Sequence, residues 1–337
     1  MKALTHIVLL VAMAAFGFGV YHVAGVLKTN GGSVVKPSST RAEALPGTMY
    51  VAQQGAIYRF KDGAFTQITD NAGWTEPAVS ADGTQLVAVR RYLNYSDVYL
   101  LTSNGRIERQ LTHHQSTQVE GNHWAFYPRF SADGSSVLYS YDDKDPYATY
   151  LVDLAIFALA SDGSGGVVQW TVPNDYTGGD ADPVPLKNGG LIYTKFSIDL
   201  RSQVHSQVWI VNRPGLAGTA LTQPDENCAQ PAVSPDESMI AMVCRQTGLQ
   251  STGLVTARLD LSSSTIGPET ILARGQLAAS PVFSPDGQTI AFLAPVHTGE
   301  PFQLWIVQST ASSSPTSARP ITQNVGLDSS AAPAWTK

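Results

Sequence analysis

Along nearly the whole chain, short apolar runs alternate with clusters of Gly, Pro, Asp and Ser, and helical spacing of apolar positions is absent outside the N-terminus. The runs fall into sets of four. The first member is small or apolar and ends at a turn: Pro77-Ala78-Val79, Arg129-Phe130, Pro231-Ala232-Val233 and Pro281-Val282-Phe283. The second is rich in β-formers: Leu86 to Val89, Val137 to Tyr139, Leu191 to Tyr193, Ile240 to Val243 and Ile290 to Leu293. The third carries an aromatic in most sets, at Tyr58, Tyr99, Phe157, Trp209 and Trp305, and Ala257-Arg258-Leu259 lacks it. The fourth closes on an apolar residue plus Thr, as in Ile68-Thr69, Leu111-Thr112, Trp170-Thr171, Leu221-Thr222 and Ile321-Thr322, with Ile271-Leu272 as the variant.

Between the first and second runs stands a repeated phrase: Ser80-Ala81-Asp82-Gly83, Ser131-Ala132-Asp133-Gly134, Ser234-Pro235-Asp236-Glu237 and Ser284-Pro285-Asp286-Gly287, with Leu186-Lys187-Asn188-Gly189 as a worn copy. Asp and Gly tolerate the backbone angles of a tight turn, so each phrase predicts a β-hairpin. The copies recur roughly every 50 residues, a period typical of propellers and solenoids. Four strands per repeat is the content of one propeller blade. The chain's ends complete the count. Ala332 to Trp335 supplies a first strand only, and Thr48 to Ala52, Ile57 to Phe60 and Thr66 to Thr69 supply the other three. The reading is an all-β, six-bladed β-propeller over residues 47–337, closed by N- and C-terminal strands that share one blade, which removes a free sheet edge. The aspartates of the phrase are expected to accept hydrogen bonds within their own turns rather than to bind metal.

The N-terminus breaks this pattern. Residues 1–28 hold a nearly uncharged apolar run, Ala3 to Leu27, long enough to span a bilayer. Ala12-Met13-Ala14 resembles a signal-peptidase site, but the apolar run continues past it. The expectation is a single-pass transmembrane helix over residues 4–27 with the propeller on the extracytoplasmic side, or a secreted protein if the segment is cleaved. Flanking charge does not set the orientation, since Lys2 stands against Lys28, Lys36 and Arg41. Residues 29–46 are rich in Gly, Ser and Pro and are expected to form a flexible tether.

Of the 337 residues, 14% are charged and the net charge is −6. No Lys/Arg cluster is present, so no nucleic-acid partner is expected. The two cysteines, Cys228 and Cys244, flank the Pro235-Asp236 turn and should face each other across one hairpin. Two readings stand: a disulfide in an oxidising compartment, or two small buried residues.

The turn phrase after a small apolar strand, the aromatic third strand and the closing Leu-Thr together resemble the TolB-like propeller repeat, over Gly47 to Lys337. The resemblance implies a propeller fold and a scaffold role. TolB carries an additional α/β domain before its propeller, which the segment before residue 47 does not match. Peptidases with similar propellers carry a Gly-x-Ser-x-Gly elbow, which is absent. No catalytic residue is carried over, and no cofactor or metal is expected.

Binding residues concentrate on loops held by a rigid scaffold. The connections from a fourth strand to the next first strand should share one face. Ligand- or partner-binding residues are therefore expected among Trp74, Glu76, His113, His114, His123, Trp124, Tyr127, Asp180 and Asp182. The connection from His113 to Phe126 is the longest, and it also carries Glu120. Its histidines match no established metal-ligand spacing. Asp142, Asp143 and Asp145 lack the Gly and terminal Glu of a calcium loop and read as a solvated acidic turn. The leading expectation is a protein- or envelope-ligand-binding scaffold. The alternative is a hydrolase or lyase acting on an extracellular polymer, with Glu76, Asp180 and Asp182 at the channel mouth as paired carboxylates.

Overall fold

The structure is a computed structural model that describes residues 42–143, 153–174, 177–245, 252–275, 277–310 and 318–337. Six antiparallel sheets form six blades around a central channel. The first blade runs outward from the channel through Trp74–Val79, Gln85–Arg91, Ser96–Thr102 and Ile107–Gln110. The second blade has the inner strand Ala125–Phe130, and the third, fourth and fifth begin at Asp180–Pro185, Ala229–Val233 and Ala279–Phe283. The sixth joins the chain ends. Ala334–Thr336 is its inner strand and pairs with Thr48–Gln53, with Met49 opposite Trp335. The fourth blade departs from the four-strand plan, because both Thr265–Ile266 and Thr270–Ala273 pair with Thr252–Asp260.

The repeated phrase forms the turn between the two innermost strands. The Ser80 hydroxyl donates to Asp82 Oδ1 at 2.6 Å, that oxygen accepts the Thr84 N–H at 3.0 Å, and Ser80 Oγ accepts the Gln85 N–H at 3.0 Å. Gly83 sits at φ 73°, where a Cβ would be strained. The same bonds recur around Ser131, Ser234 and Ser284. In the worn copy Asn188 does the work of Asp, accepting the Gly190 N–H at 2.9 Å. The phrase is scaffold.

Packing between blades buries the apolar faces of their strands. Tyr50 and Ile57 of the sixth blade meet Trp74, Leu86, Ala88 and Tyr99 of the first, and comparable clusters fill the other gaps. Cys228 and Cys244 are joined by a disulfide and buried in the cluster between the third and fourth blades.

The expected transmembrane helix lies outside the described residues. Among the described residues no helix is long and apolar enough to cross a membrane. At the end of the segment expected to be a tether, Ala42 donates its N–H to Gly63 O at 2.8 Å, Glu43 pairs with Arg319, and Leu45 packs on the core.

Candidate functional site

A second repeat accompanies the turn phrase. Three residues before each Ser or its equivalent stands a proline: Pro77, Pro128, Pro183, Pro231, Pro281 and Pro333. In five blades a β-bulge falls there, between Thr75 and Ala78, Phe126 and Arg129, Ala181 and Val184, Ala229 and Ala232, and Ala279 and Val282. The residue before each of those prolines has left-handed backbone: Glu76 (φ 52°), Tyr127 (52°), Asp182 (51°), Gln230 (54°) and Ser280 (52°). That conformation costs a non-glycine residue about 1–2 kcal/mol, so five copies of it require compensation. Where the inner strands start, Tyr127, Asp182, Gln230, Ser280 and, in the sixth blade, Ala332 line the channel as a ring, which Glu76 joins through its bond to the Tyr127 N–H.

Hydrogen bonds from blade to blade supply the compensation. Glu76 Oε2 accepts the Tyr127 N–H at 2.5 Å, and Gln230 Oε1 accepts the Ser280 N–H at 2.8 Å. Thr194 Oγ1 accepts the Gln230 N–H at 3.0 Å and donates to Asp182 Oδ2 at 3.0 Å. Thr75 donates to Asp328 Oδ2 at 2.8 Å, which ties the first blade to the segment entering the sixth.

Charge is confined at this ring. Glu76 is 1% exposed and bonded to Arg91, whose guanidinium also lies 5.5 Å from the Phe126 ring centroid. Burial pushes the Glu76 carboxyl up to about 7, against the opposing pull of Arg91 and the Tyr127 N–H, and Asp328 adds to the rise. Burial also raises Asp182, while Thr194 and Arg129 act in the other direction.

The channel is a cavity of about 320 Å³. Its wall is mainly proline, alanine and valine from the six inner strands, and Pro235 and Pro285 line it at the turn end. Tyr127, Asp182, Gln230, Ser280 and Ser330 supply polar groups near the ring, and Arg129 is the cation. Among the described residues Asp182 is the only carboxylate that lines it.

The residues expected at the loop face separate into four places. Glu76, Tyr127 and Asp182 come together at the ring, inside inner strands rather than in connecting loops. Trp74 is a core residue: it is buried, donates to Asp70 at 2.8 Å and meets Tyr99 edge-on at 5.2 Å. Asp180 is buried away from the channel against Lys195 Nζ, 3.3 Å away, and its pKa is raised by burial. His114 and His123 anchor the long connection. Their Nδ1 atoms lie 2.8 Å from the carbonyls of Ser96 and Asp142, and their rings pack on Tyr141 at 4.8 and 5.2 Å. A carbonyl only accepts, so each Nδ1 carries a proton. His113 and Glu120 are exposed, and the four polar residues of this connection do not converge on one point. Trp124 stacks on Phe126 at 6.1 Å. Asp145 lies outside the described residues.

Sequence reasoning missed Arg129 and the ring as a unit. The signal was present in the constant spacing from each proline to the turn phrase.

No protein-family model and no curated protein sequence matches the chain. Solved structures do. TolB from Acinetobacter baumannii superposes with a TM-score of 0.59 at 20% identity, over 82% of this chain and 63% of that one. This chain thus spans less than two thirds of that relative's length. A chain of a nidogen/laminin complex gives 0.60 at 11% identity, over 85% of this chain and 97% of that one. Oligogalacturonate lyase from Vibrio parahaemolyticus gives 0.51 at 12% identity, over 86% and 84%. Likeness at this level reports fold, and a shared fold hosts unrelated activities. By fold, the chain is a six-bladed β-propeller, similar in architecture to the propeller structures it superposes on.

Proposed function

We propose that this protein is a binding scaffold, held at the extracytoplasmic face of the cell membrane by residues 4–27, that seats a protein or envelope ligand in the channel of its propeller. The observation that carries the reading is the channel itself, a cavity of about 320 Å³ with apolar walls and a few converging polar groups, the usual make-up of a ligand site. The nidogen/laminin match is a propeller chain in a protein complex, which agrees with a protein partner. The apolar run from Ala3 to Leu27 supports the anchor. The Cys228–Cys244 bond supports an oxidising compartment.

The channel chemistry favours binding over hydrolysis. A paired-carboxylate mechanism needs two acids in one pocket. Asp182 lines the channel, whereas Glu76 is taken up by Arg91 and the Tyr127 N–H, and Asp180 by Lys195.

Capture of envelope proteins by the wild-type chain, by Ala332→Trp, which narrows the channel, and by a variant lacking residues 115–120 tests the reading. The channel variant is expected to lose its partner and the loop variant to keep it. Equal capture by Ala332→Trp and wild type would overturn the assignment. Membrane fractionation of the full chain and of a chain lacking residues 1–28 tests the anchor, and an unchanged distribution would remove it.

A further inference from the structure

The wall of the channel breaks its own repeat once. The residue that follows each ring proline is small and apolar in five blades: Ala78, Val184, Ala232, Val282 and Ala334. In the second blade it is Arg129. An alanine or valine evidently builds this wall, so packing does not require arginine there.

Arg129 is also short of hydrogen-bond acceptors. Its guanidinium has five N–H donors. Among the described residues it makes one hydrogen bond, Nη1 to its neighbour's carbonyl, Pro128 O, at 2.9 Å, and it enters no ion pair. The nearest acids are committed: Asp182 to Thr194, and Glu76 to Arg91 and the Tyr127 N–H. Arg129 is half-buried, and Asp182 and Glu76 offset its charge only through space, so most of its N–H donors are left without a protein acceptor. A ligand that completes its donor set would account for an arginine at a position where five other blades use Ala or Val.

Resting on the channel as the binding site, we propose that Arg129 receives a carboxylate of a partner polypeptide through a bidentate ion pair. One guanidinium balances one negative charge, and the chain's net charge of −6 opposes polyanions such as polyphosphate or nucleic acid. Walls built from Pro77, Pro231, Pro281 and Pro333 offer apolar contact and few donors, which suits an extended peptide better than a sugar whose hydroxyls all need partners.

The experiment selects a random dodecapeptide display library on the full chain. The synthetic peptides recovered are then titrated against wild type, Arg129→Ala, Arg129→Lys, Ala332→Trp and Ser330→Trp. Arg129→Ala installs the residue that three other blades carry at this position, and its thermal midpoint is expected to equal or exceed that of wild type. The recovered peptides are expected to share an Asp or Glu. Replacing that residue with its amide, or Arg129 with Ala, should weaken binding by about 10- to 100-fold, and the two losses should not add. Amidated and free-acid forms of each peptide distinguish a side-chain carboxylate from a terminal one. Peptides that bind wild type and Arg129→Ala equally, yet lose binding in both Trp variants, overturn the carboxylate while leaving the channel reading intact. Peptides indifferent to both Trp variants overturn the channel reading and this inference with it. Recovery of no saturable binder overturns a polypeptide ligand.

Discussion

The carboxylate of Glu76 accepts the backbone N–H of Tyr127 at 2.5 Å, across the boundary between the first and second blades. Both residues precede a proline and both hold left-handed backbone. The same arrangement links Gln230 to Ser280, with Thr194 standing between Asp182 and Gln230. The ring therefore couples neighbouring blades at the end of the channel where the inner strands start, where a strained backbone and buried charge coincide.

Stability should fall between mildly acidic and mildly alkaline pH, and Glu76 should cause much of the fall. Its carboxyl is raised from 4.5 to about 7. The folded state then holds the proton more tightly than the unfolded chain does. This contribution is fully present below about pH 4.5 and is lost as pH rises through about 7. Glu76 is 1% exposed, and the full span corresponds to on the order of 3 kcal/mol. Burial raises Asp182 as well, with the same sign. Arg91, the Tyr127 N–H, Thr75 and Asp328 surround this group and stay in place in Glu76→Gln, whose amide oxygen still accepts the Tyr127 N–H. Denaturant midpoints at pH 5, 6, 7 and 8 should show a flatter profile for Glu76→Gln than for wild type; parallel profiles would refute the assignment.

Ser234→Ala should lower stability by about 1–2 kcal/mol, because it leaves a half-buried backbone donor unmet. The Ser234 hydroxyl is buried, donates to Asp236 at 2.5 Å and accepts the Met239 N–H at 3.0 Å. Asp236 is held down to about 2 by Ser234, Ser238 and the Ser238 N–H, so this turn loses its ionised form only in strong acid. Urea unfolding at neutral pH measures the effect, and a change within error would show that water replaces the hydroxyl.

The fold was legible because it repeats. Turn chemistry is local, and Ser80, Asp82 and Gly83 bond within their own hairpin, so the sequence carries their structure directly. Closure was legible because the partial blade at Ala332 to Trp335 complements the one at Thr48 to Thr69. The site was harder. Glu76 and Asp182 were visible as acids, but their placement depends on a bulge that recesses the inner strand by one residue, and a propensity pattern carries no mark of that register shift. Trp74 looked like a ligand contact and is core, because burial depends on the neighbouring blade. Arg129 was passed over as part of an apolar run, although the five small residues at its equivalent positions already marked it as the exception.

Removal of the disulfide should destabilise the fourth blade. Cys228 and Cys244 are 16 residues apart and buried, and closing a loop of that size is worth about 3 kcal/mol in the chain-entropy account. Thiol titration of the denatured, unreduced protein should find no free thiol, and titration after reduction should find both. Cys228→Ser/Cys244→Ser should unfold at correspondingly lower denaturant. Two free thiols before reduction would show that the bridge does not form.

Ring closure should depend on Trp335 more than on any other residue near the C-terminus. Its side chain is 8% exposed and packs with Met49, Phe60 and Val325. Its Nε1 donates to Pro46 O at 2.8 Å, so it joins parts of the chain 289 residues apart. Trp335→Ala should cost about 3–5 kcal/mol, a large share of the ~5–15 kcal/mol that holds a typical domain folded. Trp335→Phe keeps an aromatic ring in the cluster but loses the hydrogen bond and part of the indole's packing, so it should cost less than Trp335→Ala, about 1–3 kcal/mol. Deleting residues 333–337 removes the inner strand of the sixth blade and frees the edge of Thr48–Gln53 for pairing with another copy. Size-exclusion chromatography with light scattering should then report concentration-dependent oligomers, with wild type remaining at one mass across the same range. A monodisperse truncated chain with wild-type stability would mean that the ring holds without its shared blade.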